Sequence, residues 1–110
     1  GKKIKRYGSD APFVQKLSDG RLLLTWSTFF ESNYVVLKVI SESGDIRGPW
    51  THLLPPLFSN NGGHAMFFND FEGRHLMCLH APERRALLLE RAHLFEVGEK
   101  DGDFVIIKEI

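Results

Sequence analysis

The stretch Asp-Ala-Pro-Phe-Val-Gln-Lys-Leu-Ser-Asp-Gly-Arg-Leu-Leu-Leu-Thr-Trp-Ser, residues 10–27, decides the fold because its plan returns at residues 64–80. The second copy runs His-Ala-Met-Phe-Phe-Asn-Asp-Phe, then Glu-Gly, then Arg-His-Leu-Met-Cys-Leu-His. Each copy is an apolar strand, a tight turn closing on Gly-Arg, and a second apolar strand. Gly20 and Gly73 suit such turns because glycine takes positive φ without a steric penalty. Strand-forming residues follow each hairpin. After the first come Tyr34 to Ser41, a Gly/Pro turn from Ser43 to Pro49, and a short stretch near Trp50 to Leu54. After the second come Ala92 to Val97, a turn from Gly98 to Gly102, and Phe104 to Ile107.

Two four-stranded antiparallel sheets are therefore predicted within a single domain, residues 1–110, with repeat 1 over about 10–56 and repeat 2 over about 62–110. Setting His64 against Asp10 gives a period of about fifty residues, near the ~40–50 of a four-stranded propeller blade. The expected fold class is all-β, a partial β-propeller of about two blades. A β-sandwich is the competing architecture, since its short strands recur at similar spacing. Pro82 to Leu94 contains good helix formers. A loop leading into the third strand is preferred there over a short helix, because the blade needs that strand.

Composition narrows the function classes. The chain is 43% hydrophobic and 25% charged, with 14 basic residues against 14 acidic ones. That balance argues against disorder and against a basic surface seeking nucleic acid or an anionic membrane. No apolar run approaches the ~20 residues that span a bilayer, and the start at Gly1 lacks a signal-peptide pattern. Cys78 is the sole cysteine, which excludes an internal disulfide, and its neighbours Leu76, Met77 and Leu79 predict a buried, inert thiol.

Five segments in order carry a family likeness. Ser9-Asp10-Ala11-Pro12-Phe13 resembles the Asp/Glu-Gly/Ala-Pro motif of family 43 glycoside hydrolases, five-bladed propeller enzymes acting largely on arabinose- and xylose-containing glycans. Gly20 to Ser27 is similar to the strand after that motif. Ser41 to Trp50 resembles Ser-x-Ser-Gly-x-Ile-x-Gly-Pro-Trp, Gly62 to Met66 resembles Gly-Gly-His-Gly-Met, and Leu79 to Pro82 resembles Leu-His-Ser-Pro. Ala11 and Ala65 stand where the family has glycine, and Glu83 where it usually has Asn. The resemblance implies inverting hydrolysis by an acid and a base ~6.5–9.5 Å apart. It places Asp10 at the acid position, usually a Glu, and puts the base and a second carboxylate in blades preceding these residues. The chain is expected to be inactive alone. The alternative is a non-catalytic glycan-binding or oligomeric propeller module, with copies of the chain or upstream blades covering its faces. A complete enzyme of this kind would be secreted or periplasmic.

Each candidate residue has a plainer role beside the functional one. Asp10 either serves as the acid or accepts backbone hydrogen bonds before Pro12. Trp26 is read first as a core residue after three leucines and second as a sugar platform. Phe29 and Phe30 are adjacent and point oppositely, so at most one shares the surroundings of Trp26. His64 is expected to open the second repeat as Asp10 opens the first. The resemblance associates His64 with calcium held through water, because calcium itself prefers oxygen ligands; no cofactor is otherwise required. His80 is a candidate donor to a sugar hydroxyl or to local backbone. His75 and His80, five apart on a strand, fall on opposite faces and make no zinc pair. Ser27 and Ser41 show no His/Asp arrangement of a serine hydrolase.

Overall fold

The structure, a computed structural model, describes residues 8–83 and 89–110. Eight strands follow in chain order: β1 (Ser9–Lys16), β2 (Leu22–Phe30), β3 (Asn33–Ser41), β4 (Trp50–Phe58), β5 (Gly63–Asn69), β6 (His75–Ala81), β7 (Arg91–Lys100) and β8 (Asp103–Glu109). They form two antiparallel meanders, β1-β2-β3-β4 and β5-β6-β7-β8, and the described residues include no helix. Each sheet uses consecutive strands and exchanges none with the other. That is the plan of two propeller blades rather than of a Greek-key sandwich.

The local chemistry of the turns explains the hairpins. Leu17 and Asp70 donate their N–H groups to the carbonyls of Arg21 and Arg74, while Gly20 and Gly73 sit at φ of 91° and 83°. The last hairpin is tighter than the sequence suggests. Strand β7 runs through Gly98 to Lys100, so the turn is Asp101-Gly102 rather than residues 98–102. Both of its residues have positive φ, 51° and 80°, the type I′ geometry that matches strand twist. Strand β4 is longer than expected and continues through Pro55 and Pro56 to Phe58. It is an edge strand with a register irregularity opposite Val36 to Lys38, where missing N–H donors break no ladder. Of the Pro82 to Leu94 stretch, residues 84–88 lie outside the described residues, and from Arg91 the chain is strand.

The sheets bury their facing sides against one another. Leu23, Val36, Ile40 and Leu57 of the first pack with Phe67, Met77, Leu79 and Phe95 of the second. Phe13 and Phe67 meet across the interface with ring centres 5.1 Å apart. That contact corrects the repeat register. Aligning Phe13 on Phe67 sets His64 against Asp10, but the two rings face each other from opposite sides of their blades. The turns align Gly20 with Gly73, which sets Gly63 against Asp10 and His64 against Ala11. Matching bulges follow at Asp10/Phe13 and Gly63/Met66, with Ala11 at φ 52° and His64 at φ 58°.

The other side of each sheet is open. Trp26 lies outside the core, contrary to the first expectation for it. It lines an apolar cleft of about 460 Å³ with Pro12, Leu24, Val39 and Trp50 on the outer side of the first sheet. Strand alternation accounts for this: Leu23 and Thr25 take the inward positions, so Trp26 turns out. Cys78 is likewise half-buried rather than buried. It lines the outer side of the second sheet beside Met66 and Phe68.

Candidate functional site

The starts of β1, β3 and β5 and the ends of β2 and β6 converge, and Asp10, Ser27, His64 and His80 gather there, while Ser41, Ser43 and Asp45 bond one another in the β3–β4 turn at the other end. Asp10 is exposed at the start of edge strand β1, directly across from Ser27 of β2. The phenol of Tyr34, only 3% exposed, donates to Asp10 Oδ1 at 2.6 Å. Burial first, and then the Asp10 carboxylate, push the Tyr34 phenol far above its ordinary value of 10.0. The Ser27 hydroxyl, within hydrogen-bonding reach of the same phenol, pulls the other way. Ser27 Oγ also accepts the backbone N–H of His64 at 2.8 Å, tying the second sheet to the first.

Glycine is required where the two sheets touch. A Cβ on Gly63 would lie 2.6 Å from Tyr34 Cε2 and 2.9 Å from Ser27 Oγ. A Cβ on Gly62 would meet the Ala81 Cβ and the His80 carbonyl, each at 2.7 Å. The Gly62-Gly63 pair therefore lets the backbone of β5 approach the Tyr34 ring. Asn61, at φ 55°, organises the approach. Its side-chain oxygen accepts the Tyr34 N–H at 3.1 Å, its own N–H donates to Asn33 Oδ1 at 2.8 Å, and its carbonyl accepts the Glu83 N–H at 2.9 Å.

The two histidines differ in their ties. His80 Nε2 is paired with the Glu83 carboxylate. Its ring lies 5.7 Å from that of Tyr34 and 6.4 Å from that of His64. The His64 side chain is exposed. No three His, Cys, Asp or Glu side chains converge as a metal site among the described residues. His75 stands apart, its two ring nitrogens within hydrogen-bonding distance of the side-chain amides of Asn69, at 2.8 Å, and Gln15, at 2.6 Å.

Of the candidates drawn from sequence, the structure brings Asp10, His64 and His80 to one end of the blades, around Tyr34. Phe29 joins them by packing on Tyr34 at 4.6 Å while its ring stays 44% exposed. Trp26 faces the outer cleft, where it meets His52 edge-on at 5.8 Å, and Ser9 and Asp10 line the rim of that same cleft, so Asp10 borders both the cluster and the cleft. Sequence reasoning missed Tyr34, Asn61 and Glu83 as members of the cluster. The paired glycines after Asn61 were the available signal, because adjacent glycines mark close backbone approach.

No family model matches the chain, and no curated protein sequence matches it. Two solved structures do. The endo-arabinase of Bacteroides thetaiotaomicron is 37% identical over 89% of this chain, with a TM-score of 0.80. An endo-1,4-beta-xylanase from the same organism is 21% identical over 90% of the chain, with a TM-score of 0.72, a likeness of fold alone. The chain spans 34% and 37% of those two proteins. Two consecutive meander blades make this a partial β-propeller that is similar to part of these glycosidases.

Proposed function

We propose that the chain supplies two blades of a family 43-like glycoside hydrolase acting on arabinose- or xylose-type glycans, with Asp10 at the acid position of the substrate end. The observation that carries this reading is the 37% identity to an endo-arabinase sustained over 89% of the chain. Four of the five family-like segments support it further, because each brings a residue to the cluster at the blade ends, Asp10, Ser27, Gly63 and His80, while Ser41 to Trp50 folds at the opposite end of the first sheet, where Gly44 meets Gly20. Hydrolysis by inversion needs a second carboxylate across the bond to activate water. Asp10 sits among Tyr34, His64 and His80, and Glu83 is already paired with His80. The isolated chain is therefore a glycan-binding half-site without turnover. Calcium enters this reading only through water near His64.

The test is calorimetric titration with arabinotriose and xylotriose beside a reducing-sugar assay on arabinan and xylan. Weak binding of one trisaccharide without sugar release is expected. Absence of binding to either at millimolar concentration overturns the glycan reading. Robust hydrolysis abolished in Asp10→Asn overturns the assignment of inactivity.

A further inference from the structure

We propose that Tyr34 is a positioning residue that fixes the Asp10 carboxylate towards a glycan at the blade ends, a role that rests on the function proposed above. Asp10 is badly placed to hold itself still. It lies exposed on an edge strand, at the start of a bulge in which Ala11 takes φ 52°. A short hydrogen bond from a phenol to an ionised oxygen is among the stronger ties a side chain can make. The 2.6 Å bond from Tyr34 commits Oδ1 and leaves Oδ2 to meet a ligand.

The tie is useful only if Tyr34 is itself immobile, and five contacts make it so. Its N–H donates to Asn61 Oδ1 at 3.1 Å, and its carbonyl accepts the Gly62 N–H at 2.9 Å. Its ring meets that of Phe29 at a tilt of 31° and lies beside that of His80, 4.6 Å and 5.7 Å between centres. Gly63 closes over the ring so tightly that a Cβ would fall 2.6 Å from Cε2. Four of these contacts, those of Asn61, Gly62, Gly63 and His80, come from the second sheet or the segment entering it. The carboxylate of the first blade is thus aimed by the second, and the site is a property of the blade pair.

The test uses the full chain with Tyr34→Phe, which keeps the ring and removes only the hydroxyl, together with Asp10→Asn and the double variant. In Tyr34→Phe the Asp10 13Cγ resonance should move at neutral pH. Binding of whichever trisaccharide the wild type takes should weaken about three- to tenfold, the range of one ordinary hydrogen bond, because the loss reaches the glycan only through Asp10. The double variant should bind no more weakly than Asp10→Asn, because Tyr34 acts through Asp10. Unchanged affinity in Tyr34→Phe, or a loss that adds to that of Asp10→Asn, overturns the proposal. Failure of the wild type to bind any trisaccharide removes the function on which the role rests. The tie itself is then decided by the Asp10 resonance, and a signal unmoved by Tyr34→Phe overturns it.

Discussion

Replacing Lys38 by Met tests what joins the two blades. Lys38 is 2% exposed on the inner side of β3, where its ammonium donates to Asp103 Oδ1 at 2.8 Å and to the Phe104 carbonyl at 2.7 Å. Breaking a buried ion pair by removing one partner costs about 3–5 kcal/mol. The Asp103 side chain is 31% exposed, so water takes over part of its solvation and the lower end of that range applies. The Phe104 carbonyl also loses its donor, a penalty of about 1–3 kcal/mol that belongs to the same loss. Methionine keeps the apolar stem packed. A net destabilisation of about 2–3 kcal/mol follows, or a Tm lower by roughly 8–12 °C for a domain near 100 residues. Thermal and urea unfolding at fixed protein concentration measure it. The pair with Asp103→Asn, run as a double-mutant cycle, isolates the coupling. A Lys38→Met variant as stable as wild type would refute the reasoning, because it would mean that desolvating the ammonium cancels the pair.

Three further outcomes follow from named contacts. Burial holds the His75 imidazole below its ordinary value of 6.5, so the folded chain takes up this proton later than the unfolded chain as pH falls. Stability from this group is complete above pH 6.5 and declines as pH drops from there towards the folded value. His75→Gln should flatten the Tm change between pH 7 and pH 5.5, and an unchanged slope would assign it to other groups. Gly63→Ala places its methyl 2.6 Å from the Tyr34 ring and should cost about 1–3 kcal/mol by overpacking, read by urea unfolding. A variant of wild-type stability would show that the ring yields freely. The open outer sides, with Met66 60% and Phe68 45% exposed, should drive self-association at micromolar concentration that Met66→Glu weakens. Sedimentation over a dilution series checks this, and a wild-type monomer throughout would count against it.

Much of the fold was legible in the sequence. The Gly-Arg turns, the alternating strands and the returning hairpin plan are local signals, and local signals specify a meander. What they leave open is the direction in which each strand faces. Phe13 and Phe67 look equivalent in a linear text, yet they meet each other across the interface, and this set the expected register of His64 one residue off. Trp26 reads as core after Leu22, Leu23 and Leu24, but a strand has two apolar sides when both are destined for neighbours.

By itself, then, the sequence determined two four-stranded units, their turns, the candidate carboxylate Asp10 and the two histidines near it. Tertiary structure alone decided that Tyr34 grips Asp10, that Glu83 takes His80, and that Lys38 reaches Asp103. Those partners lie 24, 3 and 65 positions apart along the chain. Only the short His80–Glu83 interval falls within the reach of local pattern, and even there it depends on how the backbone turns after β6. Of the other two, Asp10 and Tyr34 meet across β2 within the first sheet, and Lys38 reaches Asp103 because one sheet packs on the other, so no spacing rule relates either pair. Gly62 and Gly63 are small so that this packing can close.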